Sequence, residues 1–199
     1  MSQPFKVCTY TYQGEYCDEV FARRFKDLEI VTIQGITKAD DMRLMADAMK
    51  FTHSYVTSMD TKQACGGCGV VIASKHPIVR AICCSFDDLD GINGCKSIGG
   101  TVGCKLDLCN GKFLWLFTFQ NDDAIFAEKG IKQKSEIPPE ILEKMVLEEN
   151  AERLRRNMLY RKLSEMVKFV SFTLLEESNP ERCAVIFAGD FAVQNFQQK

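Results

Sequence analysis

The run Cys183-Ala184-Val185-Ile186-Phe187-Ala188 leads straight into Gly189-Asp190-Phe191. A short, unbroken apolar run closed by a glycine reads as a strand buried on both faces. Such a strand demands layers of structure on either side of its sheet. Gly189 lets the backbone turn at the strand's end, which sets Asp190 at the lip of the sheet. A carboxylate there can coordinate a hard cation or bond a group that positions phosphate. The same residues also suit a strand followed by a plain Asp-initiated turn.

The rest of the chain supplies partners for that strand. Phe5 to Tyr12 alternates and is rich in β-formers, which predicts a first strand. Glu19 to Lys26 predicts a short helix. Glu29 to Gln34 predicts a second strand, ended by Gly35. Lys38 to Lys50 carries Met42, Met45, Ala46 and Met49 at helical spacing. His53 to Thr57, Val70 to Ala73 and Ile78 to Phe86 read as strands, the last two flanking a turn at Ser74-Lys75-His76-Pro77. Thr101 to Leu108 and Lys112 to Phe119 form a hairpin around Cys109-Asn110-Gly111, since Asn-Gly is a strong hairpin signal. Asp122 to Pro139 is a polar interruption. Glu140 to Glu177 is a long helical pattern with dense opposite charges at i, i+4, and its length predicts one break. Hairpin strands with helices interleaved point to a layered α/β sandwich.

The chain has 199 residues, enough for a sizeable core. A net charge of −2 provides no global basic field to draw nucleic acid or an anionic membrane. Arg153, Arg155, Arg156, Arg161 and Lys162 form a local basic run, expected to be the solvated side of the long helix. No stretch reaches the roughly 20 apolar residues of a membrane span. The residues after Met1 lack the pattern of a signal peptide, so a cytoplasmic protein is expected. Its ten cysteines are accordingly expected to be mostly reduced. Cys65 and Cys68 have C-x-x-C spacing, but neither a second pair at zinc-ribbon spacing nor a following helix supports a metal or redox site. Asp87, Asp88 and Asp90 lie in an acidic loop, where they are expected to be solvated.

Taken in order, several stretches resemble the endonuclease/exonuclease/phosphatase superfamily, and within it the neutral sphingomyelinase-like phosphodiesterases. Phe5 to Tyr10 looks like the family's opening strand, which leads to an Asn. Asp27 to Gln34 looks like the strand that presents a metal-binding Glu just after a Gln. Gly69 to Ile78 is similar to its Gly-containing strand and Ser-Arg/Lys-x-Pro-Ile turn. Cys95 to Gly99 looks like its Lys-Gly segment. Lys112 to Gln120 resembles the strand ending Thr-His-x-Gln. Arg155 to Phe169 resembles the helix before the final Gly-Asp-x-Asn strand, here Gly189 to Ala192.

The resemblance implies metal-assisted attack of water on a phosphodiester. An Asn and a Glu help hold a divalent cation, magnesium in this family, which neutralises charge on the phosphate. The Asp and Asn of Gly-Asp-x-Asn orient water and phosphate. One His contacts the phosphate, and a second, oriented by an Asp, is the general base. In this sequence the Asn position is Thr11 and the Glu position is Gly35. The first His position is Phe119, and the Asn of the last motif is Ala192. Asp190 matches, and Lys96 remains as a phosphate contact. The C-terminal Asp-His pair has no counterpart after Ala192. The chain's two histidines, His53 and His76, lie elsewhere.

The expectation is therefore a DNase I-like αββα sandwich over a single domain, residues 1–199, incomplete at its C-terminal end. It would be a pseudoenzyme with no cofactor and no confident metal ligand, acting by binding or regulation. The alternative is an active magnesium-dependent phosphodiesterase, cleaving sphingomyelin or nucleic acid at a site rebuilt around Asp190. The strands ending at Thr11, Gly35, Phe119 and Ala192 should meet at one rim. One sheet should carry an exposed edge open to self-association.

Overall fold

The computed structural model describes residues 5–12, 21, 23–36, 39–57, 69–86, 98–122 and 141–190. Strands β1 (Val7–Thr11), β2 (Ile30–Gln34), β3 (His53–Val56) and β4 (Val71–Ser74) form one sheet in the order β1-β2-β4-β3. Strands β5 (Ile78–Ser85), β6 (Ile98–Asp107), β7 (Phe113–Asp122) and β8 (Cys183–Asp190) form a second sheet in sequence order. Helix α1 (Ala39–Met49) lies between β2 and β3 in the chain, and α2 (Ile141–Leu175) between β7 and β8. β1 is parallel to β2 and β7 to β8, while the remaining neighbours are antiparallel.

Three apolar layers stack these elements into an αββα sandwich. Val31, Ile33, Val71 and Ala73 meet Met42, Met45 and Met49 of α1, with Phe21 and Phe25 beside them. On the opposite parity, Ile30 and Ile72 meet Val102, Cys104, Leu106, Leu114, Leu116 and Ala188 between the sheets. The outer face of the second sheet sets Trp115, Phe117 and Phe119 against Met166 and Val170 of α2. Each strand thus splits its residues between two layers by the period-two geometry of a pleated strand. Gly103 is required here, because a Cβ on it would stand 2.7 Å from Cε1 of Phe117.

The hairpin between β6 and β7 forms as expected. Leu108 N–H bonds Lys112 O at 3.0 Å. Cys109 and Gly111 take the left-handed conformation, and the Asp107 carboxylate accepts from Cys109 N–H at 2.8 Å.

The structure corrects three expectations. α2 runs unbroken over 35 residues, because the segment contains no proline or glycine to kink it. Lys162 is not on the solvated side. It is 2% exposed and shares the sheet-facing stripe with Met166, Val170 and Thr173, at spacings of three and four, whereas Arg161 is exposed. β8 is not buried on both faces. It is an edge strand among the described residues, with Ala188 turned inward and Val185 and Phe187 left 37% and 49% exposed. α2 packs chiefly over β6 and β7, which leaves the outer face of β8 partly open.

The end of α2 is tied to the sheet by charge. Glu177 accepts from Lys105 Nζ at 2.7 and 2.8 Å and from Trp115 Nε1 at 2.9 Å. Its side chain is only 4% exposed. Arg80 adds an outer ion pair with Glu176 at 3.3 Å. Cys83 is disulfide-bonded, while Cys8, Cys104, Cys109 and Cys183 are free thiols.

Candidate functional site

The candidate site is the rim where β1, β2, β7 and β8 end. β1 and β2 run in parallel, with Thr11 opposite Gln34. β7 and β8 also run in parallel, with Phe119 opposite Gly189 and Gln120 opposite Asp190. Both β1 and β2 pack against β8. Gln34, at the end of β2, reaches across the sandwich and donates to Thr118 Oγ1 at 2.8 Å. The carboxyl ends of the four strands are thereby gathered at one edge, the position at which α/β sheets commonly bind ligands.

Gln34 is the knot of this rim. Its amide also donates to Thr32 Oγ1 at 2.6 Å, and its carbonyl accepts from Thr9 Oγ1 at 3.1 Å. Gln34, Thr32 and Thr118 are fully buried, so each bond is made where an unmade one would be costly. Beside them Gln120 is 6% exposed, and its Oε1 has no hydrogen-bond partner among the described residues. The rim is therefore floored by amides and hydroxyls, with the Asp190 position at the end of β8.

Gly35 follows Gln34 with φ of +80°. A Cβ at Gly35 would stand 3.1 Å from Tyr12 O and 3.5 Å from Thr11 Cγ2. The backbone here is one that residues with a side chain rarely adopt, and the space beside it is filled by the chain leaving β1. At the end of β8, Gly189 takes φ of +133°, and a Cβ there would lie 2.2 Å from Phe119 O.

Thr11 and Gly35 are neighbours at the rim, as expected, and the register carries Phe119 and Asp190 to the same end. The Phe119 ring, however, does not face the rim. Strand parity turns Thr118 and Gln120 inward and Phe119 outward, where it packs 5.5 Å from Phe86 in the layer under α2. Ala192, Lys96, Asp87, Asp88, Asp90, Cys65 and Cys68 lie outside the described residues. Gln34, Thr118 and Gln120 stand in the sequence only as flanks of substituted positions. Their signal was polar residues on the buried parity of otherwise apolar strands.

No group of three or more His, Cys, Asp or Glu side chains close enough to hold a metal ion occurs among the described residues. No helix among them is long and apolar enough to cross a membrane.

No protein-family model matches the chain, and no curated protein matches it. Among solved structures it is similar to an endonuclease/exonuclease/phosphatase from Beutenbergia cavernae, with a TM-score of 0.41 and 16% identity. The likeness covers 58% of this chain and 38% of that one. The sandwich described above stands on its own three apolar layers.

Proposed function

We propose that the chain is a degenerate member of the metal-dependent phosphodiesterase fold, working by binding or regulation and not by hydrolysis. The carrying observation is Gly35. The family resemblance puts a metal-binding Glu at this position, directly after Gln34. The backbone there is left-handed and closed in by Tyr12, so the change goes beyond one missing side chain. The segment that would aim a carboxylate has taken a shape that disfavours any Cβ.

The described side chains of the rim supply no carboxylate to a magnesium ion. That cation wants near-octahedral oxygen ligands and usually one or two carboxylates. The Gln34 carbonyl is already engaged by Thr9, and both Thr11 and Gly35 are neutral. Phe119 faces the helix layer. What the described side chains of the rim offer instead is neutral hydrogen bonding from buried amides and hydroxyls, suited to holding a polar group.

The test compares the parent protein with Asp190→Ala, each in magnesium and in a chelator, on bis(p-nitrophenyl) phosphate and on sphingomyelin. Equal background rates in all four samples are the expected result. Hydrolysis by the parent that both the chelator and Asp190→Ala abolish would overturn the proposal in favour of a site rebuilt around Asp190.

A further inference from the structure

At the end of β2 away from the rim, a cavity of about 500 Å³ opens beneath the carboxyl end of α1. Three separate connections converge on it. Arg23 and Lys26 come from the segment before β2, Lys50 from the link between α1 and β3, and Lys75 from the link between β4 and β5. Among the described residues no carboxylate lines the cavity. Ile30, at that end of β2, is roughly 13 Å along the strand from Gln34, at about 3.3 Å per residue.

We propose that this cavity binds a phosphate monoester carrying a small apolar group. Four cations around one concavity stand out in a chain of net charge −2, and a concave wall focuses their field onto a bound anion. Lys75 is partly answered by Glu29 at 3.6 Å. Lys26 and Lys50 are exposed and make no ion pair among the described residues. Arg23 lines the same concavity and already has an interaction of its own, so the binding rests on the two exposed lysines. Met49 and Phe51 supply an apolar wall beside the cations, which matches an ester substituent better than a bare inorganic anion. The volume falls in the range of small-molecule sites. A single concavity, with no continuous basic stripe beside it among the described residues, favours a small ligand over a nucleic-acid backbone.

Lys50 carries a second sign. It occupies the left-handed position that closes α1, with φ of +52° and its N–H on Asp47 O at 3.3 Å. Glycine or asparagine is the relaxed choice there. The chain instead holds a cation at that point, and that residue lines the cavity.

The experiment titrates phenyl phosphate into the whole chain by calorimetry, with benzyl alcohol and inorganic phosphate as controls. A second arm uses phosphatidylcholine vesicles with and without phosphatidic acid, whose headgroup is the same monoester at a lipid surface. Binding in either arm is expected to weaken at least tenfold in Lys26→Glu/Lys50→Glu, and by an intermediate amount in Lys26→Gln/Lys50→Gln. The arm that responds identifies a soluble or a lipid source. Both lysines are exposed, so the variants should fold, and amide NMR shifts on binding should centre on residues 23–26, 48–52 and 75. No binding in either arm, or binding equally strong in the charge-reversed variant, would overturn the proposal.

Discussion

Gln34 and Thr118 belong to different sheets, and their side chains bond at 2.8 Å with both residues fully buried. That bond fixes how the two sheets sit at the rim. Gln34→Ala should cost about 2 kcal/mol in urea unfolding, since it strands the hydroxyls of Thr32 and Thr118 together. Thr118→Val should cost about 1 kcal/mol. A double-mutant cycle between them should show coupling of at least about 0.5 kcal/mol, and additivity would show that the sheets are held together by other contacts.

Glu177 should lend the fold part of its stability against acid. Its carboxyl is pushed down from 4.5 to about 2, first by the Lys105 hydrogen bonds and then by that of Trp115. A carboxyl lowered on folding contributes fully above its unfolded value and loses that contribution as pH falls through the folded one. The window is therefore about pH 4.5 down to about 2. Melting curves of the parent and of Glu177→Gln should differ most above pH 5 and converge through that window. A gap unchanged down to pH 2 would remove Glu177 from the acid transition.

Gly189 should be among the least replaceable residues of β8. Its φ of +133° and a Cβ 2.2 Å from Phe119 O leave no room for a side chain. Gly189→Ala should cost about 3 kcal/mol. Gly103→Ala, whose Cβ would meet the ring of Phe117 and not backbone, should cost about 1–2 kcal/mol. Hydrogen exchange should show the Gly189 change loosening β8 before β6. Equal losses in the two strands would mean that β8 is not held by this close approach.

The thiols should react in an order set by burial. Cys104 is fully buried in the inter-sheet layer, and burial pushes its thiol up to about 12. Cys109 is exposed in the hairpin turn. Under native conditions iodoacetamide should alkylate Cys109 within minutes and Cys104 only after denaturant is added, as mass spectrometry would show. Early labelling of Cys104 would mean that the inter-sheet layer opens readily.

Much of the layering is legible in residue order, because strand and helix periods mark which faces are apolar. β7 is the clearest case: Trp115, Phe117 and Phe119 fall on one parity, Leu114, Leu116, Thr118 and Gln120 on the other. That same parity was enough to turn Phe119 away from the rim. The edge position of β8 was hidden, because an apolar run looks alike whether both its faces are covered or one is open. The link from Gln34 to Thr118 was also hidden, because it depends on how two sheets pack across 84 residues of chain. The left-handed turn at Gly35 had only a glycine as its sign, and glycine serves many backbones.

The parallel pairing of β7 with β8 also governs when the fold can close. Phe113 lies opposite Cys183, so the ladder's first rung joins residues separated by the entire crossover through α2. Closing so long a loop delays the contact. During synthesis, β7 can zip onto β6 through the nearby hairpin, but its other flank must wait until β8 has left the ribosome. Until then the strand bearing Trp115 and Phe117 offers a bare ladder to any passing nascent chain, and the time spent in that state grows with every pause in translating α2.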